Sequence, residues 1–203
     1  MYECHVCIAI QLLTISTTRN RKSGDAMAMK DIVSKLTEMN KQGNLTDDAL
    51  RPVVEYQVTD HYSKRMMEIA NKFKAMGMDS EARSIYGKMG AIKRGSNRML
   101  TELGREETKK AREIERGMVG HGRSGYVPSG NLRRSIKAHT LSDGRVQVYP
   151  EAQDKKGTEY GGFVEYGTRR HPTPEPYMYQ SYKEMKPVIE REVANLMKGM
   201  NPK

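Results

Sequence analysis

Apolar positions recur at helical spacing over much of the first half of the chain. From Ala28 to Asn40 they fall at Ile32, Val33, Leu36 and Met39, and the Gln42-Gly43-Asn44 turn ends that short amphipathic helix. Thr46 then stands as an N-cap with Asp47 and Asp48 in the first turn. Val54, Val58, Tyr62, Met66, Ile69, Phe73 and Met76 form one stripe of a longer helix, which Gly77 stops. Residues 79 to 118 keep a helical composition. Gly87, Gly90, Gly95 and Gly104 interrupt it at about 1 kcal/mol each relative to Ala, which predicts broken helices.

The pattern changes after Gly117. Gly117, Gly120, Gly122, Gly125, Pro128 and Gly130 crowd into one span and predict a flexible loop. Leu132, Ser135, Ile136, Ala138 and Thr140 follow the two-residue period of a strand. A Ser142-Asp143-Gly144 turn, then Val146 and Val148, complete a β-hairpin. Beyond a polar loop from Glu151 to Glu159, the run Phe163-Val164-Glu165-Tyr166, closed by Gly167, predicts a third strand. The prolines of His171-Pro172-Thr173-Pro174-Glu175-Pro176 keep the next piece extended. Met178, Tyr182, Met185, Ile189, Val193 and Leu196 mark a final amphipathic helix that Pro187 either kinks or delays to near Lys186.

This order predicts an α+β fold: N-terminal helices, a small antiparallel β-sheet of three or four strands, and a C-terminal helix packed on it. A chain of 203 residues suits a single domain with an appendage. We read residues 1–26 as a poorly ordered extension, with Met27 or Met29 as the natural start. Residues 27–203 form the domain: a helical part 27–118, the glycine-rich loop 117–130, and the sheet and final helix over 131–198. With no Trp and two Phe, the core relies on aliphatic residues, Tyr and the fifteen Met, although Met also suits surfaces that meet several partners.

Charge and cysteine usage narrow the chemistry. Residues 81 to 137 carry 14 basic and 6 acidic side chains and supply most of the formal net charge of +10. Such a block attracts phosphate, an acidic protein face or a membrane surface. Against that, Glu106, Glu107, Glu113 and Glu115 alternate with Arg105, Lys109, Lys110, Arg112 and Arg116, as on a solvated helical face with pairs such as Glu106 with Lys110. Cys4 and Cys7 flank His5 with no second ligand pair at metal spacing, so neither a disulfide framework nor a metal centre is expected. The apolar run from Val6 to Ile15 has about half the length of a membrane span. His121 and His171 have no carboxylate at triad or metal-ligand spacing, and the glycine span does not link a strand to a helix as a phosphate loop does. We therefore expect no enzymatic activity and no cofactor.

Three segments of the C-terminal third are more specific. Pro128-Ser129-Gly130-Asn131-Leu132-Arg133-Arg134-Ser135-Ile136, then Tyr160 and Phe163-Val164-Glu165-Tyr166-Gly167-Thr168, then Pro174-Glu175-Pro176-Tyr177-Met178 stand in this order ahead of an amphipathic helix. Together they resemble the tail-completion and head-to-tail joining (virion morphogenesis) family of long-tailed bacteriophages, over about residues 128 to 198. The resemblance implies a structural protein of the virion neck, made in the bacterial cytoplasm and assembled as a homo-oligomeric ring of six or twelve copies. Its partners would be the head connector or head-completion protein and the tail terminator or tail tube protein, with possible contact to packaged DNA and no membrane. The subunit and partner contacts it implies fall on Arg123, Asn131, Arg133, Arg134, Glu165, Tyr166, Thr168, Arg169, Arg170 and Tyr177. Glu165 is read either as the partner of an arginine such as Arg133 or Arg169, or as an exposed carboxylate on the outer sheet face. The alternative function is a basic nucleic-acid-binding accessory protein, although interleaved aromatics for base stacking are missing.

Overall fold

The computed structural model describes residues 12–13, 51–58, 63–121, 126–169 and 171–200. The expected helix over 28–40, the Thr46 cap, Cys4 and Cys7, Arg123 and Arg170 lie outside the described residues. The elements run β1 (Leu12–Leu13), β2 (Val53–Tyr56), α1 (Ser63–Ala75), α2 (Asp79–Met118), α3 (Asn131–Ser135), β3 (Ile136–Thr140), β4 (Val146–Pro150), α4 (Gly161–Tyr166) and α5 (Tyr177–Met200). The fold is α+β. Three strands, β2, β4 and β3, make an antiparallel sheet, and the two-residue β1 adds to the β2 edge in the order β1-β2-β4-β3.

The hairpin stands where its alternation placed it. β3 and β4 pair from Ile136↔Pro150 to Thr140↔Val146. At the turn, Leu141 N donates to Arg145 O at 2.8 Å, Asp143 Oδ1 accepts from Arg145 N at 3.0 Å, and Gly144 takes φ +87°. Thr140, Ala138 and Ile136 share the inner side of the ladder with Val146, Val148 and Pro150, and across β4 with Tyr56 and Val54 of β2.

Four expectations need correction. The stripe read through Val54 as part of a long helix instead contains β2, and the helix begins only at Ser63. Pro52 lacks an amide donor and biases its neighbour away from helix, while Val53 and Val54 are β-branched. Val54 and Tyr56, two apart, are buried against β4, a spacing that a helical stripe does not use. The broken helices of 79–118 are one continuous helix of 40 residues, about 60 Å long. Phe163 to Tyr166 are not a strand but most of the short helix α4, opened by Phe163 N and Val164 N donating to Tyr160 O. Val164 and Glu165 are consecutive and both buried, with the Glu165 carboxyl turned to the N-terminus of the last helix rather than to a sheet face. Leu132 opens no strand; it sits in the single turn α3, and with Ile136 four residues later it is fully buried. α5 starts at Tyr177 and runs through Pro187. Pro187 and Lys183 are both exposed, so water can reach the carbonyl that loses its amide partner.

The core forms where the second half of α2 crosses the inner sheet face. Met99, Leu100 and Leu103 meet Val54, Tyr56, Val146, Val148 and Ile136, while α5 lies along α2, reaches β2 and brings Met178, Met185 and Ile189. Gly104 explains how α2 approaches so closely. A Cβ there would lie 2.5 Å from Val146 Cγ1 and 3.3 Å from Ala138 Cβ, whereas Gly87 and Gly117 on the same helix have nothing within 4 Å. Gly104→Ala is therefore expected to destabilise by about 1 to 3 kcal/mol through overpacking, despite the helix propensity it gains. Gly87→Ala, in open space, should stabilise by up to about 1 kcal/mol. Urea unfolding of the two variants checks the pair, and equal signs would show that Gly104 is not a spacing residue.

The first half of α2 is different. Between Asp79 and Gly95 only Ala82 is buried, and in α1 only Ala70, so the α1–α2 hairpin stands clear of the core among the described residues. It exposes Met67, Ile69, Met76, Met78 and Tyr86, with Met76 64% accessible. Of the methionines, Met99, Met178 and Met185 fill the core, and Met67, Met76 and Met78 are exposed.

Candidate functional site

The three motif segments converge at one end of the molecule, around the C-terminal end of α2. Gly130, at φ +74°, turns the chain into α3, and Asn131 Nδ2 donates to the Tyr160 hydroxyl at 3.3 Å. Tyr160 also stands 6.4 Å from Tyr126, ring to ring. Gly161 is buried because a Cβ would fall 2.5 Å from Pro150 Cγ, and its carbonyl lies 3.5 Å from the Tyr177 hydroxyl. The backbone amide of Glu175 donates to Val164 O, and both carboxylate oxygens of Glu175 accept from Gly120 N at 3.1 and 3.2 Å. The proline-bounded segment is thereby pinned to α4 on one side and to the end of α2 on the other. Gly167, at φ +78°, ends α4, and the Thr168 hydroxyl accepts from His171 N at 3.0 Å.

Glu165 does something the strand reading could not foresee. It is 2% exposed, and its two oxygens accept from Met178 N at 2.9 Å and Tyr179 N at 3.0 Å. The carboxyl therefore closes the N-terminus of α5, where unpaired amides and the positive end of the helix dipole favour an acceptor. Among the described residues no arginine pairs with it, and it does not stand on the outer sheet face. Burial outweighs the two amide bonds and pushes its pKa up to about 7.

The interface residues expected from the resemblance consequently divide. Tyr177 is fully buried and Glu165 nearly so, so both act inside the subunit and neither offers a surface to a partner. Tyr166 is half-buried, and desolvation followed by the nearby Glu165 carboxyl pushes its phenol up. Asn131, Arg134 and Arg169 are exposed, while Arg133 and Thr168 are partly buried.

Beside this junction the surface is basic. Lys109, Arg112 and Arg116, at i, i+3 and i+7 on α2, join Arg133 of α3 around an open groove of about 540 Å³, with Glu113 as its one carboxylate. Arg112 Nη2 donates to Ile136 O at 2.7 Å, which fixes its guanidinium at the groove wall. Glu113 is 3.3 Å from Lys110, so a neighbouring cation partly offsets its charge. Lys109 and Arg116 make no side-chain hydrogen bond or ion pair with any described residue. The pairing of Glu106 with Lys110 expected from spacing does not form: Glu106 pairs with Arg105, and Lys110 lies between Glu113 and Glu184.

Sequence reasoning also missed the polar centre of the core. Glu107 is 0% exposed; it accepts from the Tyr56 hydroxyl at 2.6 Å and from Ser181 Oγ at 2.5 Å, linking β2, α2 and α5. Desolvation raises its pKa although both hydrogen bonds oppose the shift. Glu115 is buried as well, again raised by desolvation, with Arg133 opposing. A signal was present: Leu103, Glu107, Ala111 and Glu115 recur every four residues on one helix face.

Among the described residues no group of three or more His, Cys, Asp or Glu is placed to hold a metal ion, and no helix is long and apolar enough to cross a membrane. Comparison with protein-family models, with curated proteins and with solved structures returns no significant match.

Proposed function

We propose that this chain is a structural protein of the neck of a long-tailed phage, which completes the tail and joins it to the head connector as a homo-oligomeric ring of six or twelve copies. The observation that carries the reading is the convergence of the three motif segments. Residues spread from Pro128 to Met178 build one fastened junction between α2, α3, α4 and α5, so the motifs that carry the resemblance act together as a structural unit. The junction combines buried hydrogen bonds, such as those of Glu165, with half-buried and exposed ones, such as those of Glu175 and Asn131, which suits a part that must hold its shape while neighbours pull on it.

The α1–α2 hairpin supports the same reading. A ring subunit needs two different surfaces that meet head to tail, and this hairpin leaves the apolar side chains of Met67, Ile69, Met76, Met78 and Tyr86 more than a third exposed among the described residues. On this reading a second copy covers them. The exposed Asn131, Arg134 and Arg169 at the other end belong to the surface offered to neighbours. The partners proposed on either side are the head connector or head-completion protein and the tail terminator or tail tube protein.

Negative-stain electron microscopy and native mass spectrometry of the full chain, together with virions lacking it, test this. Closed rings and particles whose heads and tails remain separate are expected. Particles without the chain that still join heads to tails would end the reading.

A further inference from the structure

The basic groove at the end of α2 has a chemistry of its own. Four cations, Lys109, Arg112, Arg116 and Arg133, line the groove with one carboxylate, Glu113, which already has Lys110 beside it, while the buried Glu115 behind the lining is felt by Arg133 alone of the four. Two of the four lack a partner among the described residues, and a third is aimed by its bond to the Ile136 carbonyl. Elsewhere on the same helix the opposite arrangement holds: Arg105 sits between Glu102 and Glu106 and is neutralised. What distinguishes this end of α2 within the mixed block is that cations from two elements gather around one groove and outnumber its carboxylates.

We infer that this groove binds the phosphate backbone of double-stranded DNA. The lining favours a polyanion over a protein partner, because it contains no apolar or aromatic side chain, whereas protein interfaces centre on such anchors. The same lack of aromatics argues against single-stranded nucleic acid, whose bases need rings to stack on. Lys109, Arg112 and Arg116 run about 10 Å along a rigid helix, a distance of about three base-pair steps. Arg133 comes from α3 on the other wall, so cations flank a strand rather than touching it along one line. Contacts of this kind position the duplex without reading its sequence. The inference rests on the groove and not on the ring reading, and the two fail separately.

The test is fluorescence anisotropy of the full chain with a labelled mixed-sequence duplex across a salt series. Lys109→Gln/Arg116→Gln/Arg133→Gln is compared with Lys155→Gln/Lys156→Gln/Lys186→Gln, which removes the same charge from exposed positions that do not line the groove. Circular dichroism confirms that both variants fold. Wild type should bind with an affinity that falls steeply with salt. The groove variant should lose at least tenfold at about 0.1 M salt and flatten the log–log slope by roughly 2 to 3, while the other variant changes little. Equal losses in both variants would reduce the effect to net charge and overturn the inference. Binding to polyglutamate but not to duplex would overturn it in favour of an acidic protein partner. Rings that form without duplex binding would leave the neck reading standing alone. Duplex binding by a chain that forms no rings would uphold the groove and favour an accessory nucleic-acid-binding role.

Discussion

Glu107→Ala is expected to lower the free energy of unfolding by about 3 to 5 kcal/mol, the range for breaking a buried hydrogen-bonded network and leaving a cavity. Tyr56 is 1% exposed and Ser181 fully buried, so neither hydroxyl can turn to water when the carboxyl goes. Ser181 has a second acceptor in Met178 O at 2.7 Å, and so the loss falls mainly on Tyr56. Glu107→Gln keeps the volume and one acceptor oxygen. Burial raises the carboxyl's pKa and so lessens the cost of losing its charge, and with one accepting oxygen kept the amide should cost less than the Ala variant, about 1 to 2 kcal/mol. Urea unfolding followed by circular dichroism separates the two. Similar losses for both variants would mean that the charge, not the network, holds β2, α2 and α5 together.

The same residue shows what the sequence did and did not make legible. Its position on the Leu103, Ala111 and Glu115 face was written in the four-residue spacing, but a glutamate among lysines and arginines reads as surface until something is seen to cover it. Ser181 and Tyr56, from elements 74 and 51 residues away, supply that cover. Local signals sufficed for the hairpin, where Asp143, Gly144 and the alternating valines agree, and for the stop at Gly77, whose φ is +76°. They failed where long-range packing overrode them. β2 exists because β4 offers it a ladder, and α2 stays continuous across Gly104 because the sheet needs a residue without a side chain there. α4 was unreadable as a helix, since six residues are too few to show a period. The candidate site followed the same division. The motif residues were recognised, but their inward orientation was not, because it depends on α5 presenting two amides to Glu165. The groove was visible only as a net charge, since which cations lose their carboxylates depends on side-chain geometry.

That inward carboxyl makes stability depend on pH in a direction opposite to that of an ordinary surface ion pair. Glu165 has its folded-state pKa pushed up to about 7 from the usual 4.5, so the folded chain holds a proton that the unfolded chain releases. Its contribution is full below pH 4.5 and is lost as pH rises through about 7, with no further loss above. At about 1.4 kcal/mol per pH unit the interval is worth roughly 3 kcal/mol. Glu107 and Glu115 shift the same way, while the half-buried Glu102 and Glu151, lowered by hydrogen bonds from Arg105 and Lys137, and the exposed Asp143, lowered first by the backbone amide of Arg145 and then by its side chain, act in the opposite sense. The wild-type profile alone therefore mixes signs, and the difference between wild type and Glu165→Gln isolates the one group. Gln cannot ionise, so its advantage over Glu should grow by roughly 3 kcal/mol between pH 4.5 and pH 8 in urea unfolding at fixed ionic strength. A difference that stays flat across that range would mean that the two amides at the head of α5 hold the carboxylate charged throughout, and that desolvation there is weaker than its burial suggests.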